Sequence, residues 1–261
     1  MNRSFCTNAL ALVALASAGF AFADTTCILP QLSTAQLRET GDQQLNEANC
    51  SSGDATTYES LMHMTGWSGT FWSAPSCVGA KYAKQRFLNT VRLIDKAEAA
   101  MVYSVRLDNG WELAQESVSN RPVCDSSRAW ATTYMKSDNR TEYHWGFFYN
   151  STVIDRAATI IHEATHSGRH KDHVSAGDVT IIGTNSCTMA LSSCDRSWTY
   201  GGAWMQEVKW LEEYAKKGSP FVTNPNARRM AMDVANWDLN NAFVQRPMSG
   251  DVPRTVTCVG C

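Results

Sequence analysis

Neither sign of charge dominates this chain: 23 Lys and Arg stand against 25 Asp and Glu, a formal net charge of −2. That balance excludes a strong electrostatic case for nucleic acid or an acidic membrane surface as partner. Charge is also scarce overall, at 18% of 261 residues against 44% hydrophobic, which excludes a disordered chain. Long apolar runs are missing as well. The single borderline one, Ala9 to Phe22, falls short of the roughly 18 residues that span a bilayer. There is no internal repeat, low-complexity tract or proline-rich linker, so nothing divides the chain into separate domains.

What is present begins with an address. The run Ala9–Phe22 follows a weakly basic start carrying Arg3 and ends in Ala21-Phe22-Ala23, a small-x-small pattern that a signal peptidase accepts. Residues 1–23 are expected to be a cleaved secretory signal, and residues 24–261 a single secreted domain with no membrane attachment after cleavage. The signal removes Cys6 and leaves eight cysteines, an even number that in an exported chain predicts disulfides. Of about a hundred possible pairings, Cys187 with Cys194 is favoured because it closes a small loop. Cys258-Val-Gly-Cys261 has no second CxxC to share a metal, so a structural disulfide role is expected there.

Residues 24–77 read as loop-rich and disulfide-held, with a short helix around Thr34–Glu47. In 80–100, Phe87, Val91 and Ile94 fall near helical spacing and predict an amphipathic helix. VYSVRL and WEL flank Asp108-Asn109-Gly110 and predict a hairpin. A second hairpin is expected from AWATTYM and TEYHWGFFY, joined at Lys136–Arg140. A helix then starts near Thr152, where Thr152-x-x-Asp155 forms a capping box. It carries Val153, Ile154, Ala157, Ile160, Ile161 and Ala164, and Gly168 is expected to stop it. Two further helices are predicted, Ala203–Lys217 and Ala227–Val244, the second with Met230, Val234, Trp237 and Asn241 on one face.

The chemistry lies in His162-Glu163-Ala164-Thr165-His166, an HExxH pattern. Residues four apart on a helix share a face, so both imidazoles can reach one zinc ion. Glu163, beside the first ligand, can accept a proton from water activated by that ion. The segment YHWGFFYNSTVIDRAATIIHEATH resembles the active-site strand, turn and helix of zincin metallopeptidases, and is most similar to the deuterolysin-like aspzincins. The resemblance implies a zincin-like α+β fold in which a small antiparallel or mixed sheet packs on the HExxH helix and further helices follow. It also implies His162 and His166 as zinc ligands and Glu163 as general base.

A third ligand remains open between patterns. The metzincin spacing places Arg169 at its glycine position and Asp172 at its ligand position; His173 lies one residue further on. A chain that turns at Gly168 can bring His173 back over the ion, and His173 ranks first. In the aspzincin pattern GTxDxxYG, the counterparts are Gly183-Thr184, Asp195 and Tyr200-Gly201, with the Asp-to-Tyr interval two residues too long. Asp195 ranks second on that basis, and the same likeness implies Tyr200 as a phenolic donor to the developing oxyanion. A gluzincin pattern favours Glu207 in AWMQEVKWL, and His170, Asp172 and Asp178 complete the candidates.

The nine tryptophans are expected mainly in the core, with a sugar-stacking platform of Trp67 and Trp72 as the alternative. Sequons occur at Asn49, Asn139 and Asn150, relevant only to a eukaryotic secretory route. The function that follows is a secreted or periplasmic, monomeric zinc metalloendopeptidase acting on a peptide or protein substrate. Two rivals stand beside it: an exported binding protein for a cell-wall sugar or protein ligand with a vestigial HExxH, and a zinc hydrolase of a non-peptide amide or ester.

Overall fold

The computed structural model describes residues 51–67, 81–100, 110–124, 130–135, 139–174, 185–216 and 225–258. The signal segment, the helix expected at Thr34–Glu47, Trp72, Asn49, Asp178 and Gly183-Thr184 lie outside them. The described residues form a mixed α+β arrangement with small sheets and a bonded cysteine pair, Cys187–Cys194, whose Cα atoms are 6.3 Å apart. Cys124 and Cys258 are also disulfide-bonded. No helix among the described residues is long and apolar enough to cross a membrane.

The chain enters with α1 (Ser52–Leu61), which the sequence reading missed although a signal for it was present. Ser51 Oγ accepts from the Asp54 amide and the Asp54 carboxylate accepts from the Ser51 amide, a reciprocal cap on two orphan donors. Helix α2 (Ala83–Ala100) follows, with Phe87, Val91 and Ile94 all buried as their spacing predicted. Of the first predicted hairpin, VYSVRL and Asp108-Asn109 lie outside the described residues, and the second arm is not a strand. WEL belongs to a short helix, α3 (Gly110–Gln115), which buries Leu113 and Ala114 and sets Trp111 edge-on to Tyr58 at 5.8 Å. Glu-Leu-Ala-Gln favours helix, and the tertiary contact outweighs the turn signal of Asn109-Gly110.

A three-stranded sheet follows in the order β1 (Asn120–Pro122), β3 (Arg140–Tyr143), β2 (Ala131–Tyr134). β1 runs parallel to β3, while β2 pairs antiparallel to it with Thr133 opposite Thr141. The second hairpin therefore exists, but its aromatic arm turns helical after Tyr143: Trp145–Tyr149 is α4. That bend lets Phe147 and Phe148 pack inward with Tyr143, Phe87 and Trp67, at ring separations of 4.6–5.8 Å for the closest pairs. A continued strand would have turned every second ring toward solvent. Trp67 is thus a core residue whose indole N–H donates to the Asn120 carbonyl at 2.9 Å.

Helix α5 (Val153–Arg169) is the centre of the molecule, packed against α2, α3, β2, β3 and both C-terminal helices. Its capping box is formed as expected, Thr152 Oγ1 accepting from the Asp155 amide at 3.2 Å and Asp155 from the Thr152 amide at 2.8 Å. It does not stop at Gly168. The chain continues to Arg169 and turns at His170, which adopts φ 51°. Gly168 has another use: a Cβ there would lie 2.5 Å from Glu116 Cβ, so its hydrogen lets the segment after α3 approach α5.

Helices α6 (Ala203–Lys216) and α7 (Pro225–Asn241) pack on each other and on α5. In α7 the fully buried stripe is Ala227, Ala231, Ala235 and Leu239, with Met230 and Val234 partly buried against the core as their spacing predicted and Trp237 turned outward. The small side chains allow close helix contact. Trp237 is left 51% exposed. The helix ends at Asn241, short of Val244, because residues 241–245 turn to bond with Thr188, Asp195 and Arg196. A last two-stranded ribbon, β4 (Met248–Ser249) with β5 (Val252–Pro253), completes the described chain.

Candidate metal centre

The helical spacing acts as expected at its first step: His162 and His166 lie one turn apart on α5, with ring centroids 5.0 Å apart. After the left-handed turn at His170 the chain doubles back, and His173 comes within 5.1 Å of the His162 ring and 4.6 Å of the His166 ring. Each imidazole offers one nitrogen, and the three lie within 4.8 Å of one another, the one cluster of this kind among the described residues. His162 and His166 are buried and His173 partly so.

The other ring nitrogens decide which atoms face inward. His166 Nδ1 donates to the Lys171 carbonyl, which has no proton to give. His173 Nδ1 meets Asp195 Oδ1 at 3.1 Å. Asp195 Oδ2 meanwhile accepts from the Trp204 and Met205 amides at 3.0 and 3.3 Å. His162 Nδ1 meets Glu207 Oε2 at 2.9 Å. Burial, reinforced by Asp238 and Asp155, raises the Glu207 carboxyl well above its usual range. Burial, then His166 and His173, lowers His162. A cation on the far nitrogen of His162 would place the ring proton on Nδ1, where it can donate to Glu207.

The three Nε2 atoms then present lone pairs to a common point. His162 Nε2 and His173 Nε2 are 3.2 Å apart. That separation is close to the roughly 3.3 Å between two ligands of one tetrahedral zinc with Zn–N of about 2.0–2.1 Å. The donor set thus fits a zinc-type ion: three imidazoles, each with an oxygen behind its other ring nitrogen.

Asp195 and Glu207, candidate ligands by sequence pattern, stand one bond behind the cluster, on His173 and His162. Asp195 is fully buried beside the start of α6, where Gly202 occupies the N-cap position and has no side chain to cap with. A Cβ on Gly202 would sit 2.5 Å from Asp195 Cγ, so the glycine leaves the carboxylate its place. Tyr200 does not present a free phenol to the centre. Its hydroxyl donates to the Asp172 carbonyl at 2.8 Å, and Lys171 lies over its ring, which braces the segment leading into His173. Burial, then Asp195 and Asp172, raises its pKa. His170 and Asp172 are exposed and lie outside the cluster.

Glu163 is buried beside the cluster, and its Oε2 accepts from Thr133 Oγ1 at 2.6 Å. Thr133 on β2 was missed by sequence reasoning, although the strand alternation there fixes which side chains face α5. Trp204 was missed too. Its indole lies 4.3 Å from the His162 ring and stacks near His173 at 6.1 Å. Beside His162 and Glu163 opens a cavity of about 730 Å³, bounded by Trp130 and Ala131 at the start of β2 and by α5, α6 and α7. No family model, curated protein or solved structure matches this chain.

Proposed function

We propose that the chain is a secreted or periplasmic zinc metallopeptidase of zincin-like architecture, cutting peptide bonds with Glu163 as general base. One observation carries the reading. Three imidazole Nε2 atoms converge next to a buried carboxylate that a neighbouring strand orients, at the mouth of a cavity large enough for a substrate side chain. Zinc bound there supplies a Lewis acid that brings the pKa of water toward about 7 and polarises a carbonyl.

The chain's own part follows from its geometry. Glu163 Oε2 takes the proton of the attacking water and delivers it to the departing amine. Thr133 holds that oxygen in one place by donating to it. The outer edge of β2 has no strand partner among the described residues, so an extended peptide can pair there and place its side chains in the cavity. The aromatic segment Glu142–Tyr149 offers no such edge, since β3 is central in the sheet and Trp145–Tyr149 is α4. The bonded cysteine pair supports an oxidising compartment.

Glu163→Gln tests the reading. The variant should bind zinc one-to-one and lose about 10²- to 10⁴-fold in peptide hydrolysis. Retained activity, or a folded wild-type chain that takes up no zinc, refutes it. A chelator-sensitive assay on casein beside small amide and ester substrates separates a peptidase from a hydrolase of other bonds.

A further inference from the structure

Two tryptophans are not explained by packing. Every other described tryptophan is buried in the core or packed against it. Trp130 and Trp237 do neither: they are 36% and 51% exposed, and both line the cavity beside Glu163. Trp67, a candidate for a stacking platform by sequence, is spent in the core, whereas these two indoles keep open faces. Trp130 is set in place by its neighbours. Its carbonyl accepts from the His144 amide at 2.9 Å, and a Cβ on Gly146 of α4 would lie 3.3 Å from its Cδ1, so the glycine lets the indole lie close to that helix. Trp237 comes from α7, one turn after Val234, which lines the same cavity. Large apolar rings left in water around one concave site mark a place where a ligand covers them.

The polar part of the lining narrows the ligand. Asp155, Thr159 and Ser193 are half-buried there and offer carboxylate and hydroxyl oxygens. The remaining acids are not free to take a charge: Glu163 is engaged by Thr133, Glu207 by His162, and Asp238 is sealed at 2% exposure. Asp155 itself already accepts from the Thr152 amide. Among the described lining residues there is no Lys or Arg, so an anionic ligand would meet acids with no cation to offset them. What fits is a neutral group with hydroxyls on its rim and a flat C–H face. Hydroxyls donate to the oxygens, and the negative face of an indole attracts polarised C–H bonds. A pyranose sugar has both. The cavity, at about 730 Å³, holds more than one amino-acid side chain and falls in the range of roughly 300–1,000 Å³ typical of sites for whole small molecules. We propose that this cavity is a subsite for a neutral pyranose carried by the substrate, stacked on Trp130 and Trp237. The inference rests on the peptidase reading for its consequence, that the preferred substrate is a glycosylated peptide cut beside the residue that bears the sugar.

Matched probes test this by direct binding to the folded chain, read by calorimetry and by the fluorescence of the stacked indoles. N-acetyl-threonine methylamide is compared bare, with O-linked mannose, with O-linked N-acetylgalactosamine, and with the sialylated, anionic form of the last. At least one neutral glycosylated probe should bind about tenfold or more tightly than the bare one, and the anionic probe should lose that gain. Trp237→Ala, at an exposed position on α7, should abolish the preference without lowering Tm. Trp237→Phe, which keeps a flat ring, should restore part of it, and Trp130→Ala should abolish it independently. Equal binding of the bare and glycosylated probes overturns the proposal, and so does a preference that survives either alanine substitution. An anionic probe that binds as well as its neutral parent also overturns it. Tighter binding of N-acetyl-phenylalanine methylamide than of either neutral sugar probe does the same, since it marks a plain apolar side-chain pocket. Sugar-selective binding without cleavage of any peptide or glycopeptide leaves the subsite standing and refutes the peptidase, whereas cleavage without sugar selectivity does the reverse.

Discussion

Asp195 accepts hydrogen bonds in two directions, and replacing it with Asn should break one of them whichever way the amide turns. Its Oδ1 meets His173 Nδ1, while its Oδ2 takes the second and third amides of α6, a cap that Gly202 cannot supply. Asn offers one acceptor and one donor. With its oxygen toward α6, its NH₂ faces His173 Nδ1 and forces the ring proton to Nε2, the atom needed for metal. With its oxygen toward His173, the α6 cap is lost. Removal of an oriented carboxylate behind a ligating histidine costs about 10- to 100-fold in metal affinity, equivalent to about 1.4–2.7 kcal/mol. Loss of the cap costs about 0.5–2 kcal/mol of stability. Asp195→Asn should therefore weaken zinc binding by about tenfold or more in chelator competition, or lower the metal-free Tm. Gly202→Ala, which drives a methyl into the carboxylate, should move both quantities the same way. Zinc affinity and Tm both unchanged in Asp195→Asn would refute the idea that this carboxylate joins the metal centre to α6.

Thr133→Val keeps the shape of β2 but removes the hydroxyl that donates to Glu163; hydrolysis should fall about tenfold or more through kcat with zinc affinity unchanged, and an unaltered kcat counts against a positioning role. Glu142 tests acid stability. Burial raises its pKa, but hydrogen bonds from Arg140 and Arg121 outweigh that and hold it below the usual range. A depressed carboxyl stabilises the fold above its unfolded pKa, and the gain is lost as pH falls through the folded value. Glu142→Gln should therefore lower Tm at neutral pH and flatten its decline on acidification; parallel profiles for the two proteins would contradict this. Paired Cys187→Ser and Cys194→Ser should cost about 2–3 kcal/mol in urea unfolding, the loop-closure entropy of a seven-residue separation. No change in the midpoint would mean that the loop is already ordered without the bond.

The order in which these parts could be read from the chain follows the range of the forces that set them. Local patterns transferred well: the capping box at Thr152, the α2 face of Phe87, Val91 and Ile94, and the pair of imidazoles one turn apart all depend on neighbours within a few residues. Where a distant partner decided the outcome, local signals misled. Asn109-Gly110 reads as a hairpin turn, yet Trp111 and Leu113 find burial only as a helix against Tyr58 and α5. Gly168 reads as a helix stop, and it is instead a contact point for Glu116. The same logic governs the metal centre. Chain spacing names His162 and His166 because one helix carries both. It ranks His173 ahead of Asp195 and Glu207 on motif spacing alone, since each is a polar side chain at some plausible interval. What separates them is three-dimensional: the left-handed residue His170 after α5 turns the chain back, so the His173 imidazole arrives from the loop side. Glu207 on α6 meets the other nitrogen of His162, Nδ1, from behind the ring. His173 and the two acids behind the imidazole cluster thus form one hydrogen-bonded arrangement. Substituting one of the three changes the orientation of the other two, so their effects on zinc affinity should combine non-additively in a double-mutant cycle of Asp195→Asn with Glu207→Gln.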